Sequence, residues 1–204
     1  MLNTGSRKYA GYSFYWSGLK RNKWYGVGIA IRESSYITIE SIITVNERMK
    51  AANINVKGFK VHVISCYAPT LRRPLLTKQK LYKDLLQLSK VEQKRKLIIQ
   101  GDFNAELLIC RMHTCFDGAS SRPEEGLNTT NDIAMLFLQL SQTQELAILN
   151  SWFYHPIHHR VTWHHPNGTT RSVYDYSMFH SWLRSFVKDI RVRNSYFNSD
   201  HGFL

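Results

Sequence analysis

The sequence predicts an α/β fold, on three observations. Residues 11–66 are rich in β-branched and aromatic side chains broken by glycine, the composition of strands. Residues 75–93 set Leu81, Leu85 and Leu88 at helical spacing among lysines and glutamines, which makes an amphipathic helix. That helix feeds Leu97, Ile98 and Ile99, an apolar run stopped by Gly101 and therefore a buried strand. A chain of 204 residues accommodates one domain with a sizeable core but not two comfortable ones, so a single domain over residues 1–204 is expected.

In chain order, residues 11–18 and 24–31 read as the first two strands, with Lys20, Arg21 and Lys23 in the turn between them. Gly26 and Gly28 lack the third glycine and the following helix of a dinucleotide loop, so they read as points of close backbone packing. Residues 36–45 alternate, and 52–56 and 59–66 flank Lys57-Gly58, a hairpin turn signal; together they predict an antiparallel meander. Its last strand runs into Tyr67-Ala68-Pro69-Thr70, where the proline ends regular pairing and leaves Tyr67 at the exit. Residues 106–127 show no period and carry Gly118, Ser120, Ser121 and Pro123, a long surface loop of the kind that borders sites. A helix is expected over 131–146, capped by Thr129 or Thr130, with Ile133, Leu136, Phe137 and Leu140 on one face. Further strands are expected at 148–151, 160–165, 172–179 and 187–192.

A content of 43% hydrophobic and 13% aromatic residues belongs to a packed protein and excludes a disordered one. The net charge of +12 favours a polyanionic partner, because clustered Lys and Arg release counterions on meeting phosphates, though a basic balance also serves solubility alone; nucleic acid leads and an anionic membrane surface follows. Cys66, Cys110 and Cys115 form no C-x-x-C pair and no complete disulfide framework, which suits a reducing compartment and no disulfide partner. Residues 1–12 hold no apolar signal-peptide core, and no stretch approaches the ~20 apolar residues that span a bilayer. A soluble protein of nucleus or cytoplasm, with no membrane partner, is the expectation. Cys110, His113 and Cys115 lack a fourth zinc ligand, and His155, His158, His159, His164 and His165 lack acidic or thiolate companions at fixed spacing, so neither group reads as a metal cage.

Chemistry concentrates at residues 96–105, Lys-Leu-Ile-Ile-Gln-Gly-Asp-Phe-Asn-Ala. In an extended chain Asp102 and Asn104 share a face while Phe103 turns into apolar packing. A carboxylate beside an amide at a strand's C-terminal end handles a proton and holds a phosphate oxygen. The same residues also suit a plain Asx-type turn. Asp175, between Tyr174 and Tyr176, is an acid where a core strand prefers an apolar residue, and an isolated buried carboxylate is costly enough to require a partner.

A strand, Tyr67-Ala68-Pro69, a helix, a strand, Gly101-Asp102-Phe103-Asn104, a helix, Thr162-Trp163, Asp175-Tyr176 and finally Ser199-Asp200-His201, in that order, resemble the endonuclease/exonuclease/phosphatase superfamily. The branch most similar is the apurinic-type endonuclease domain of non-LTR (LINE or RTE-like) retrotransposons and their host-encoded derivatives, among them craniofacial development protein 2-like sequences. The resemblance implies a four-layered α/β sandwich, two mixed sheets face to face with helices outside, and Mg²⁺-dependent hydrolysis of phosphodiesters in DNA. Residue by residue it implies that Asp102 exchanges a proton with the attacking water or leaving oxygen and that Asn104 orients the phosphate. It makes Tyr67 a phosphate-binding phenol and pairs Asp175 with His201, which then donates to phosphate as imidazolium. Asp200 becomes the metal-side carboxylate, and Thr162 and Ser199 supply phosphate-binding hydroxyls.

The family also carries an Asn on a first strand and, at the end of a second, a Glu that is the main Mg²⁺ ligand; neither has an equivalent in these residues, and Glu33 and Glu40 fall in later strands. The expectation is therefore a sandwich incomplete by two strands, with Mg²⁺ binding weak or lost and turnover impaired. The alternative reading is a catalytically dead remnant that at most binds nucleic acid. A phospholipid or inositol phosphate phosphodiesterase is a third, which the charge disfavours.

Overall fold

The structure, a computed structural model, describes residues 2–90, 95–107, 131–153, 155–166, 170–193 and 199–204, with the backbone alone at 22–24. The expected loop, apart from its first two residues, and Cys110, His113, Cys115, Thr129 and Thr130 lie outside the described residues. The chain forms two compact units, Met1–Ala68 with Lys83–Gly101, and Pro69–Tyr82 with Asp102–Leu204. Both are discontinuous in sequence, so no linker composition marks a boundary between them.

The first unit holds a three-stranded antiparallel sheet of β1 (Leu2–Tyr9), β2 (Tyr12–Leu19) and β3 (Asn22–Arg32) in that order. Polar β1 carries no strand pattern of its own, and the sequence reading passed over it. Its pairing is set by Ala10 and Gly11, whose φ angles of 49° and 78° make the two-residue turn that matches strand twist. A second run of strands follows, β4 (Ile37–Thr44), β5 (Met49–Val56), β6 (Phe59–Tyr67) and β7 (Lys96–Asp102), neighbours in that order. The Lys57-Gly58 turn between β5 and β6 has φ angles of 50° and 88°, the hairpin geometry its sequence announces. β3 packs on β5 and β6, with Val27 and Ile31 buried on its inner face. The first four residues of β5 are all buried. Among them Lys50 donates its ammonium to Thr44 Oγ1 at 2.6 Å, and burial pushes its pKa down.

The second unit carries α2 (Asp132–Thr143), β8 (Leu146–Ile148), β9 (Trp163–His164), β10 (Arg171–Ser172) and β11 (Asp175–His180). β8 pairs with β11, and β9 with β10, both antiparallel. Asn131 caps α2, its side-chain oxygen accepting the Ala134 N–H at 2.8 Å, in place of the expected threonines. Phe103, Phe137 and Tyr176 form one buried ring cluster, with centroids 4.7 Å (Phe103–Phe137) and 4.9 Å (Phe137–Tyr176) apart.

Four strand expectations need correction: that at 172–179 is split, with Ser172 in β10 and β11 beginning only at Asp175. The segment at 148–151 leaves the ladder after Ile148 and closes as a 3₁₀ turn, Leu149–Ser151. That at 160–165 is reduced to the two residues of β9. That at 187–192 is no strand: the Val192 N–H donates to His159 O at 2.7 Å and Asp189 is held by His155 and Arg191, so its polar groups are satisfied outside a sheet. α1 (Leu75–Leu88) ends five residues earlier than its pattern predicts. Among the described residues no helix is long and apolar enough to cross a membrane.

Candidate functional site

Gly101 is where β7 must carry no side chain. Its φ is +148°, and a Cβ there would lie 1.8 Å from the Cys66 carbonyl oxygen, inside any tolerable contact. The chain then turns at Asp102, whose Oδ1 accepts the Asn104 N–H at 2.9 Å while Asn104 adopts a left-handed φ of 47°. The extended geometry expected for Asp102 and Asn104 is thus replaced by an Asx turn, and the two side chains are grouped by this turn and not by strand alternation. Phe103 is fully buried, as expected, and its N–H donates to Tyr174 O at 2.8 Å, fixing the turn against the entry to β11.

Asp175 opens β11 and finds the partner that a half-buried acid requires: its Oδ2 lies 2.8 Å from His201 Nδ1. Two neighbours fix its backbone. Thr162 Oγ1 accepts the N–H groups of Tyr174 and Asp175 at 2.9 and 3.0 Å, and Asn150 donates to Asp175 O at 2.9 Å while accepting the Ser177 N–H at 3.0 Å. Thr162 is fully buried, and its hydroxyl oxygen holds the backbone that presents Asp175. Ser177 and Met178 are buried, and Met178 pairs with Ile148 of β8.

His201 is set by its own loop. Its N–H donates to Ser199 Oγ at 3.1 Å, it bridges Trp163 in antiparallel fashion, and the following Gly202 N–H donates to Thr162 O at 2.8 Å. Asp200 accepts the Trp163 indole N–H at 2.9 Å, which turns its carboxylate along the β9 side of this loop.

Electrostatics follow from this gathering. Burial, reinforced by the Asp175 charge, pushes the Asp102 carboxyl up to about 7, against the lowering pull of the Asn104 N–H and of His201. The hydrogen bond and charge of Asp175 raise His201 above the ordinary imidazole range, with burial opposing. The Asp102 carboxyl and the His201 imidazole therefore stand in each other's fields.

Tyr67 belongs to the first unit, at the end of β6. Its ring and that of Tyr25 lie on the Arg48 guanidinium, at 5.1 and 4.5 Å from centroid to Cζ, and Arg48 also donates to Tyr67 O at 3.1 Å. Sequence reasoning missed Arg48 and Asn150. Arg48 follows two polar residues ahead of a strand, and Asn150 sits in a segment read as strand; the one available signal was the register that sets Arg48 beside the Tyr67 exit.

A divalent cation is not accommodated by what is described. No group of three or more His, Cys, Asp or Glu side chains gathers among the described residues. Glu33 is bound to Lys8 and Ser13, and Glu40 to Arg95. Asp175 spends one oxygen on His201 and Asp200 one on Trp163, so the cluster of three or more ligands that Mg²⁺ demands does not gather among the described residues, and no step below passes through the metal.

The fold is that of the endonuclease/exonuclease/phosphatase superfamily. Over 95% of this chain it matches an AP endonuclease from Leishmania major, with a TM-score of 0.69 and 15% identity, covering 69% of that chain. The endonuclease domain of TRAS1, a telomere-specific non-LTR retrotransposon, matches 86% of the chain at a TM-score of 0.55 and 14% identity, covering 68% of that domain. In sequence the chain is 28% identical over 192 residues to craniofacial development protein 2 of Bos taurus, a match that covers 91% of this chain and 30% of that protein. The chain thus spans less than a third of the length of the curated relatives it matches. No family model matches it.

Proposed function

We propose that the second unit houses a phosphodiester-hydrolysing site acting on nucleic acid, with Asp102 and His201 as its proton-handling pair. The observation that carries this reading is the 2.8 Å contact between His201 and Asp175 beside a carboxyl raised to about 7. Ionised Asp102 accepts the proton of the attacking water as its oxygen bonds to phosphorus and the P–O bond to the leaving sugar oxygen breaks, that oxygen taking a proton from solvent; His201, held cationic by Asp175, donates a charge-assisted hydrogen bond to a non-bridging phosphate oxygen. Asn104, on the same turn, orients the phosphate with its amide. Ser199, whose Oγ already accepts the His201 N–H, is proposed to turn its hydroxyl to the phosphate. DNA is the proposed substrate, in keeping with the net charge of +12 and with the nucleases that share the fold.

Nicking of supercoiled plasmid tests the reading, run with Mg²⁺ and with EDTA. Activity lost at least a hundredfold in Asp102→Asn and in His201→Ala is the expected result. Equal background from wild type and both variants would leave the second reading, a remnant that binds nucleic acid without cutting it.

A further inference from the structure

β2 is inside out. Ser13 and Ser17 are buried, while Tyr12, Phe14 and Trp16, which alternate with them, point to solvent at 41, 37 and 38% exposure. The inner face has a reason: Ser13 donates to Glu33 at 3.0 Å and Ser17 to Asn46 O, small polar links on the side where β3 packs against β5 and β6. The outer face, three aromatic rings at every second residue with Tyr9 beside them at 66% exposure, has no such internal reason. Contiguous exposed apolar surface of this kind marks a binding surface.

The neighbours of the rings define what fits. Trp16 stands between Gly5 on β1 and Gly28 on β3, and a Cβ at Gly5 would come within 2.2 Å of the indole, so the ring lies flat over the glycine backbone with its other side open. Phe14 pairs with Arg7 and Ala30, and Tyr12 with Tyr9 and Arg32, which puts both guanidinium groups on the aromatic face. Arg7 lies 5.7 Å from the Tyr9 ring centre. Across residues 2–32 there are six lysines and arginines and no aspartate or glutamate.

We infer that the outer face of β1–β3 is a stacking platform for single-stranded nucleic acid. Rings repeated every two residues, about 6.7 Å along a strand, give successive unstacked bases successive π-faces, and Arg7 and Arg32 lie where the connecting phosphates run. Charge argues against the other occupants: a second copy would set Arg7 and Arg32 against themselves, and a basic or neutral apolar helix would leave both unpaired. The platform lies wholly in the first unit and does not depend on hydrolysis in the second.

The test is fluorescence anisotropy of a labelled oligothymidylate with the full chain in EDTA, in an Asp102→Asn background so that cleavage plays no part. Phe14→Ser and Tyr12→Ser are each expected to weaken binding about tenfold with the salt slope unchanged. Arg7→Gln with Arg32→Gln is expected to flatten that slope by about 1.4, two phosphates at roughly 0.7 each on a single strand. Phe14→Trp keeps the π-face and is expected to bind within twofold of the parent, which holds the test open if a serine variant misfolds by circular dichroism. Affinity within twofold of the parent in folded Phe14→Ser and Tyr12→Ser overturns the inference. So does weakened binding in Phe14→Trp, or sedimentation showing a dimer that Phe14→Ser dissociates.

Discussion

Gly101 carries two demands at once, a positive φ and a backbone approach to Cys66, and they act on the strand that delivers Asp102. Gly101→Ala is expected to cost roughly 3 kcal/mol or more, since a Cβ would meet backbone rather than a movable side chain. Chemical denaturation against wild type reads this directly. Asp102 carries a pH dependence of definite sign. Its folded pKa lies above the ordinary 3.8, so the stability it contributes is complete below that value and is lost as pH rises through about 7. Asp102→Asn is therefore expected to gain stability over wild type on going from pH 4 to pH 8, by roughly 2–4 kcal/mol at about 1.4 kcal/mol per unit of displacement. Urea melts at the two pH values check it. At this scale the sequence was readable where chemistry breaks a pattern: an acid in an apolar strand needs a partner, and His201 is there at 2.8 Å. It was unreadable where a residue's part comes from register alone, as with Asn150 clamping β11.

Elements join through one buried cation. Lys78 of α1, 3% exposed, donates to both carboxylate oxygens of Asp132 at 3.0 and 2.8 Å and to Leu71 O at 2.7 Å, tying α1 to the first residue of α2. The partners are not equivalent. Asp132→Ala leaves a buried ammonium with one carbonyl and is expected to cost about 3 kcal/mol. Lys78→Met leaves the Asp132 carboxylate, 37% exposed, at a helix N-terminus where negative charge is favoured, and is expected to cost at most half as much. Thermal melts of both variants check the asymmetry. The lysine-studded helix was legible as a pattern, but its partner, 54 residues on, was not. Strands with alternating or β-branched sequence were found; polar β1 was not, because an Ala-Gly turn and a ready neighbour make it a strand. The face of β2 was also hidden, since alternation gives two faces and only packing chooses which is buried.

For the whole molecule, charge is the property that sequence states outright, and +12 favours the proposed polyanionic partner. Nucleic-acid affinity is expected to fall steeply and linearly in log–log terms as salt rises, measured by anisotropy between 50 and 200 mM salt. The order of motifs along the chain was likewise legible as a fold, and the fold is found. The account stands on Asp102 taking the proton of the water that attacks a nucleic-acid phosphodiester, and the pH profile of plasmid nicking tests it most directly. Nicking is expected to rise through about pH 7 as Asp102 ionises, to fall again as His201 loses its proton above the ordinary imidazole range, and to lose its acid limb in Asp102→Asn. A nicking rate in Asp102→Asn equal to wild type at every pH would contradict it.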